Sequence, residues 1–342
     1  MFKMKHIAIV AHQSNPSICS SMMVHADLIK SAGYKVTLFI LEDLEECFEP
    51  YDYDKVLYVS NKDLKQKFEE KCVDCVFLTT YLKVLDLKLS GIGLPMYLWM
   101  QGDEPHESFM RNHSYLRKYA LSFLLWLAFK FIKGVVFVSD AMKDYYNEIY
   151  GIKKRFIVVP CLSEFEPNYN QKDRLTNSFV YIGGLSVWQC FEETLNVYKQ
   201  LRTNDSIFHI ITRDVDYATE KVMNQIGDMV GIKVYSITDR GLIPDILQKF
   251  QYGFLIRRDN VVNQVASPIK FLEYISCGVN VIMTEAVPSY AQIIKENGIG
   301  TVIDLERKKI ILKEYNPLAA YVYEENFNKT IYINRYSSFF VE

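Results

Sequence analysis

The residues best suited to chemistry lie in the stretch 267–283, which reads SPIKFLEYISCGVNVIM. Ser267 can cap a helix, and Pro268 suits its first position. Lys270 and Glu273 then share one face, separated by about 4.5 Å of rise, similar to the distance between a diphosphate and its ribose. Free N–H groups and the helix dipole beside Lys270 favour an anion, while Glu273 could accept hydrogen bonds from two ribose hydroxyls. An i,i+3 salt bridge on a surface helix explains these residues equally well.

The residues that follow this helix indicate the kind of sheet that carries it. Cys277 and Gly278 end the helical pattern, and residues 279–283 have the composition of a buried strand. A helix that leads directly into such a strand is typical of a doubly wound α/β sheet. This step favours a site at a sheet edge over a surface salt bridge.

Length and composition limit the classes of protein to consider. A chain of 342 residues can form two domains of roughly 150 to 170 residues each. The sequence is 49% hydrophobic and 14% aromatic, which indicates a globular protein. Its formal net charge of -2 gives no general attraction to nucleic acid, so we expect no nucleic-acid partner.

The N-terminus and the cysteines indicate the compartment. Residues 1–12 have a basic tip and a short apolar run without a small-residue cleavage site, so we predict no signal peptide. Seven scattered cysteines fit a reducing compartment. Cys72 and Cys75 are spaced like a redox or half-zinc motif, but buried thiols are favoured because no second pair completes a zinc site. We expect a cytoplasmic protein without a metal site.

Alternating strand and helix patterns fill both halves of the chain. The predicted strands lie at residues 6–10, 36–41, 55–59, 75–79, 96–100, 135–138 and 156–159, and then at 179–182, 207–211, 232–235, 252–256 and 280–283. This alternation predicts two α/β, doubly wound (Rossmann-like) domains that face a cleft. The predicted divisions are a first domain at 1–165, a polar linker at 166–178, a second domain at 179–320, and a helical segment at 321–342 that packs back on the domain junction.

The helix predicted at residues 115–133 is unusually apolar and has basic flanks. Its unbroken apolar part covers only about 12 to 14 residues, fewer than the roughly 20 needed to cross a bilayer. Because it carries Trp126 between Lys118 and Lys130, it could lie in a membrane interface. Burial between domain layers explains its apolar residues equally well.

Four segments resemble one family when taken in chain order. They are YIGGLSVWQ at 181–189, the stretch from Ser267, VVFVSDAMKDYY at 135–146 and IVVPCL at 157–162. Together they resemble the GT-B glycosyltransferases, specifically the large retaining group that uses nucleotide sugars to build bacterial surface polysaccharides. The resemblance implies that a sugar moves from a nucleotide diphosphate donor to a lipid-linked or polysaccharide acceptor with retention. The donor is a substrate, and neither a metal nor another cofactor is expected.

The resemblance assigns donor-side roles to residues of the second domain. It implies that Glu273 holds the ribose and that Lys270, at the helix N-terminus, lies near the diphosphate. The Gly183-Gly184 turn would let the backbone approach the phosphate or sugar, although two glycines also form ordinary βα turns. The turn at residues 236–240, with Thr238, would lie against the nucleobase.

Two positions depart from the family pattern. Val265 stands where many members have an acidic residue that touches the sugar, and the nearby polar groups are those of Asn263, Gln264 and Ser267. Trp188-Gln189 stands where a phosphate-binding lysine is common. Arg257 and Arg258, just after a predicted strand, could supply the missing charge, or they could be solvated.

The acceptor side of the cleft is predicted in the first domain. The segment MQGDEPHES at residues 100–108 brings Asp103, Glu104 and His106 to the end of a predicted strand, where they could orient an acceptor hydroxyl and serve as acid or base. His12 follows the first strand and would also face the cleft. A polar loop without a role is the alternative for His106.

The sequence lacks the motifs that are typical of several classes of enzyme. The sequence has no nucleophile elbow, HExxH, Walker loop or strict GxGxxG, which argues against hydrolase, metalloprotease, kinase and dehydrogenase chemistry. Asp214 and Asp216 form a DxD that is better explained as a solvated turn. Two alternatives to a glycosyltransferase stay open: a non-hydrolysing nucleotide-sugar epimerase, and a degenerate glycosyltransferase that acts as a non-catalytic partner subunit.

Overall fold

A computed structural model describes residues 4–13, 16–49, 51–170, 172–307 and 309–341. The chain divides into two compact units. The first unit consists of Met1–Glu164, Val265–Ser267 and Lys329–Glu342, and the second of Phe165–Gln264 and Pro268–Asn328.

The first unit is built on a parallel sheet of seven strands. The strands are β1 (His6–Ala11), β2 (Lys35–Leu41), β3 (Lys55–Tyr58), β4 (Cys75–Leu78), β5 (Met96–Met100), β6 (Ile132–Phe137) and β7 (Arg155–Val158), and their order is β3-β2-β1-β4-β5-β6-β7. The helices of this half of the chain are α1 (Pro16–Ser31), α2 (Asn61–Glu70), α3 (Tyr81–Leu89), α4 (Glu104–Asn112), α5 (Tyr115–Phe131) and α6 (Asp140–Tyr150). β1 and β4 are neighbours although two strands lie between them in sequence, so the winding reverses there.

The second unit repeats this architecture with six parallel strands. They are β8 (Ser178–Ile182), β9 (Ile207–Ile211), β10 (Ile232–Tyr235), β11 (Tyr252–Leu255), β12 (Asn280–Thr284) and β13 (Gly300–Ile303), in the order β10-β9-β8-β11-β12-β13. The helices are α7 (Phe191–Leu201), α8 (Val215–Gln225), α9 (Ile243–Leu247), α10 (Val261–Gln264), α11 (Ile269–Ser276), α12 (Pro288–Asn297) and α13 (Ala319–Phe327). The winding reverses between β8 and β11, so the carboxyl ends of these two strands form the crevice in which ligands of such sheets bind.

Tyr274 fixes α11 on this sheet. Its buried hydroxyl accepts a hydrogen bond from the backbone N–H of Ile182 at 3.1 Å, and its oxygen lies 3.3 Å from the carbonyl oxygen of Phe254. The ring packs on Gly253, where a Cβ atom would come within 2.8 Å of it. The first turn of α11 is therefore held beside the ends of β8 and β11.

The last helix, α14 (Lys329–Ser337), belongs to the first unit. Nδ1 of the buried His25 on α1 lies 2.5 Å from the hydroxyl of Tyr336, and the ring of Phe339 packs against Tyr97 on β5. A Cβ atom on Gly134 would come within 2.9 Å of Phe339, so this glycine makes room for the C-terminal aromatic residues.

Candidate functional site

The start of α11 differs by one residue from the prediction. The helix begins at Ile269 with Pro268 as its N-cap, and no side chain caps it. The prediction that Ser267 caps the helix was wrong, because its hydroxyl oxygen accepts a hydrogen bond from the backbone N–H of Cys161 at 3.0 Å instead. The N-terminal N–H groups of α11 thus have no side-chain cap, which suits an external anion.

Lys270, in the first turn of α11, is buried at the crevice. Its Nζ donates a hydrogen bond to Oε1 of Gln189 at 2.9 Å and lies 4.2 Å from the ring centroid of Tyr181. The amine also packs on Gly183, where a Cβ atom would come within 3.2 Å of Nζ. Gly183 has a φ of +123°, so this position favours glycine both for its backbone conformation and for the space it leaves to the amine.

Arg257, directly after β11, is a second buried cation. Its Nη1 donates to the carbonyl oxygen of Trp188 at 3.0 Å, and its backbone N–H donates to the hydroxyl of Thr284 at 3.1 Å. Like Lys270, it forms no ion pair with a carboxylate of the described residues. The hydrogen-bond acceptors of both cations are the neutral oxygens of Gln189 and Trp188 in one short turn.

The electrostatics of this pair are unfavourable without an added anion. Burial lowers the pKa of the Lys270 amine well below its ordinary value, and the charge of Arg257 lowers it further, although Glu273 has the opposite effect. Burial also lowers the pKa of the Arg257 guanidinium. A ligand that brings negative charge would favour the protonated form of the amine and compensate the charge of the guanidinium.

Glu273 lies one helical turn after Lys270 and is buried as well. Its Oε1 accepts a hydrogen bond from Nη2 of Arg240 at 2.7 Å. Arg240 ends the turn at residues 236–240, which the sequence placed near a nucleobase, but its ion pair with Glu273 was not predicted. Nothing local in the sequence indicates it, because 33 residues separate the partners.

The first unit gathers polar groups after β5. Asp103 caps α4 and is buried, and its Oδ2 lies 2.7 Å from Nδ1 of His106. The hydroxyl of Tyr145 lies 3.4 Å from the same ring nitrogen. Glu104 is the first residue of the helix. Asp103 therefore orients the imidazole of His106.

Glu107 belongs to this cluster and was missed by the sequence interpretation. Its carboxyl packs directly on Gly102, where a Cβ atom would collide with Oε1. Burial raises its pKa to about 7; Arg111 opposes the shift, and Asp103 and Glu104 add to it. The i,i+4 spacing of Asp103, the N-cap of α4, and Glu107, in the first turn of α4, could have indicated that Glu107 belongs to this cluster.

His12, after β1, is hydrogen-bonded through one of its ring nitrogens. Its Nε2 lies 2.9 Å from the hydroxyl of Thr80, the residue that caps α3. Burial, together with the charge of Lys83, lowers its pKa to about 4. The imidazole is therefore neutral at neutral pH.

No protein-family model matches the sequence, and no curated protein matches it. Solved structures match over nearly the whole chain. Sucrose-phosphate synthase from Thermosynechococcus elongatus has a TM-score of 0.67 at 10% identity, covering 98% of this chain and 95% of that one. WaaG, a glycosyltransferase involved in lipopolysaccharide biosynthesis, has a TM-score of 0.65 at 12% identity, covering 98% and 100%. HepE from Anabaena, in complex with UDP-glucose, has a TM-score of 0.61 at 10% identity, covering 98% and 93%.

The decisive observation is that both parallel sheets are matched together, in one chain, over 95% or more of two of these solved structures, sucrose-phosphate synthase and WaaG. The chain has the GT-B fold. This confirms the two doubly wound, Rossmann-like domains predicted from the sequence. At such low identity the likeness to GT-B structures concerns the fold and not the reaction.

Within this GT-B fold, three other predicted donor-side residues form no hydrogen bond with Lys270 in the described part of the chain. Arg258 is exposed and forms an ion pair with Glu193 on α7. Asn263 is buried, but its amide donates to the carbonyl oxygen of Arg258 at 2.9 Å and so braces the loop after β11. Thr238 is exposed in the turn after β10. Gly184 differs, since its carbonyl accepts a hydrogen bond from the Tyr181 hydroxyl at 2.7 Å, and Tyr181 also faces Lys270.

Helix α5 exposes a continuous apolar stripe. The stripe consists of Leu116 (83% exposed), Tyr119 (65%), Phe123 (58%) and Trp126 (37%). Nζ of Lys130 lies 4.8 Å from the ring centroid of Trp126, and the opposite side of α5, with Leu125 and Ala128, is buried. Among the described residues, no helix has both the length and the apolar character needed to cross a membrane.

Proposed function

We propose that this protein is a glycosyltransferase that moves a sugar from a nucleotide diphosphate sugar to an acceptor hydroxyl. The observation that carries the proposal is the pair of buried cations, Lys270 and Arg257, beside the Gly183 turn at the ends of β8 and β11. Neither has a carboxylate partner among the described residues. A diphosphate is a ligand of the right charge, because its negative charges would compensate both cations at once.

The same arrangement supplies the main catalytic effect. Breaking the bond between sugar and phosphate places additional negative charge on the leaving diphosphate. Lys270, Arg257 and the uncapped N-terminus of α11 would stabilise this charge more in the transition state than in the ground state. Fixed cations take the place that a divalent metal has in other phosphate sites, so we propose metal-independent transfer. Retention of the sugar's configuration is proposed from the resemblance.

The ribose and acceptor sites follow from the neighbouring groups. Glu273 lies one helical turn from Lys270 and would accept hydrogen bonds from the ribose hydroxyls. The complex of HepE with UDP-glucose supports a nucleotide sugar as the donor class. On the acceptor side, the Asp103 and His106 pair would orient a hydroxyl of a polysaccharide or lipid-linked glycan, a choice supported by the role of WaaG in lipopolysaccharide biosynthesis.

The exposed stripe of α5 suits a membrane surface. Tyr119, Phe123 and Trp126 can enter the headgroup region while Lys118 and Lys130 contact anionic lipids. We therefore propose peripheral membrane association at the cytoplasmic face, which would bring the protein to a lipid-linked acceptor.

The experiment is a binding panel followed by a product assay. We expect one of UDP-, GDP- or dTDP-glucose to raise the melting temperature of the wild type and to be slowly hydrolysed by it. Lys270→Ala should keep most of the thermal shift but lose most of the hydrolysis, whereas Lys221→Ala, which removes a partly exposed lysine from α8 that pairs with Glu192, should keep both. A wild type that binds no nucleotide sugar would contradict the proposal, and one that binds but neither hydrolyses nor transfers would indicate a non-catalytic partner subunit.

A further inference from the structure

Arg240 has an unassigned relationship to the proposed ribose site. The residue starts the 3₁₀ turn Arg240–Leu242, and its Nη2 donates to Oε1 of Glu273 at 2.7 Å. The side chain of Glu273 is only 4% exposed. A buried carboxylate is costly unless it has a charged or hydrogen-bonded partner, and Arg240 provides one.

The contact also restricts how Glu273 can rotate. A guanidinium bonded to one carboxylate oxygen holds the carboxylate plane, because its donors have a fixed geometry. An ionised carboxylate has about four acceptor positions, so the bond to Oε1 still leaves lone pairs for two hydroxyl groups. Arg240 can thus orient the acceptor of a ribose diol without contacting the ribose.

We propose that Arg240 is a positioning residue for ribose recognition, holding the carboxylate of Glu273 in the orientation that accepts the ribose hydroxyls of the donor. This inference rests on the proposed function, because it requires a nucleotide at α11. If Arg240 has this role, the preference of the protein for a ribonucleotide over its 2′,3′-dideoxy form depends on a residue in the turn after β10. A purely structural role of Arg240 would instead affect all nucleotides to the same extent.

The test compares ribose with dideoxyribose. Calorimetry first identifies which of UDP, GDP, ADP and CDP the wild type binds most tightly, and then measures the affinity for that nucleotide and for its 2′,3′-dideoxy counterpart. Arg240→Ala should weaken binding of the ribonucleotide about tenfold or more while changing binding of the dideoxy form less than about twofold. Arg240→Lys, which keeps the charge but loses the planar fork, should restore part of the ribose preference.

Two further variants isolate the contact. In a Glu273→Gln background, Arg240→Ala should cause no further loss of ribose preference, because the two residues act as a unit. Arg202→Ala is the matched control, since it removes an arginine that pairs with Asp228 elsewhere in the same unit. It should leave both affinities unchanged.

The possible failures have different meanings. Equal loss of both nucleotides in Arg240→Ala would overturn the inference, and so would tighter binding of the ribonucleotide, which would show that Arg240 blocks the site. An unchanged ribose preference would overturn it while leaving the proposed function intact. A wild type that binds only dTDP, which lacks the ribose 2′-hydroxyl, would overturn the inference while leaving the proposed function intact. A wild type that binds neither dTDP nor any of the four ribonucleotides would contradict the proposed function, and the inference with it.

Discussion

The amine of Lys270 lies against Gly183, and a Cβ atom at that glycine would come within 3.2 Å of Nζ. This contact joins the first turn of α11 to the turn after β8, two segments that are far apart in the sequence. The glycine leaves room for the lysine, and its φ of +123° shapes the turn. The proposed anion site therefore depends on both residues together.

Replacing Gly183 should damage this site more than replacing its neighbour. Gly183→Ala places a Cβ against Lys270 in a backbone conformation that costs about 1 to 3 kcal/mol for a residue other than glycine. We expect a lower melting temperature and at least tenfold weaker nucleotide binding by calorimetry. Gly184→Ala is the control, because a Cβ there meets no atom within 4 Å. Equal nucleotide affinities of the two variants would contradict this account.

The buried amine of Lys270 should reduce the stability of the ligand-free protein. Because burial lowers its pKa, the unfolded chain binds more protons than the folded one below the ordinary lysine pKa of about 10.4. This destabilisation is therefore largest at low pH and disappears as pH rises toward 10. Lys270→Met should raise the melting temperature at pH 7 by roughly 2 °C or more, with the difference shrinking at higher pH.

Thermal unfolding from pH 6 to pH 10 measures this effect. Lys65→Met, which replaces an exposed lysine on α2, should follow the wild type across the range. A Lys270→Met protein that is less stable than the wild type at pH 7 would show that the amine is well accommodated without a ligand.

Glu107 should make the stability of the protein depend on pH. Its pKa of about 7 lies above the ordinary glutamate value, so the folded protein holds a proton that the unfolded chain has released. The stabilisation from this residue is present below about pH 4.3 and is lost as pH rises through 7. Glu107→Gln should remove this loss, so its melting temperature relative to wild type should increase between pH 5 and pH 8. A difference that stays constant over that range would contradict the shifted pKa.

Membrane association should depend on both parts of the α5 surface. Exchanging Lys118 and Lys130 for Glu should weaken binding to phosphatidylglycerol vesicles, by about 1 kcal/mol for each basic residue removed, and Trp126→Ala should weaken it further. The exchange of Lys62 and Lys65 on α2 for Glu changes the net charge equally and should have little effect. A wild type that does not sediment with vesicles at low salt would rule out this surface as a membrane contact.

Local sequence patterns predicted the features that depend on local periodicity, namely the secondary-structure elements and the face of a helix on which a residue lies. All strands except β13 were indicated by their apolar composition, and the i,i+3 spacing placed Lys270 and Glu273 on one helix near a strand end. The contacts that complete the site join residues distant in sequence: Gln189 with Lys270, and Arg240 with Glu273. No periodicity indicates which distant side chain completes a pair.

The error at Ser267 has the same physical origin. Serine is a common N-cap residue before a helix. Here, however, the hydroxyl oxygen of Ser267 accepts a hydrogen bond from the distant backbone N–H of Cys161. Val265 shows a related effect, since its carbonyl accepts a hydrogen bond from the Ser139 hydroxyl at 2.7 Å and its side chain is buried. Tertiary partners decided the role of both residues.

The central claim is that Lys270 stabilises the negative charge that develops on the leaving diphosphate. The most direct measurement is steady-state kinetics of donor hydrolysis or transfer by Lys270→Ala beside the wild type, with the nucleotide sugar that the wild type binds. We predict that kcat falls about 100-fold or more while KM changes little, because the interaction strengthens in the transition state. An unchanged kcat with a raised KM would contradict the claim, since Lys270 would then bind substrate and transition state equally.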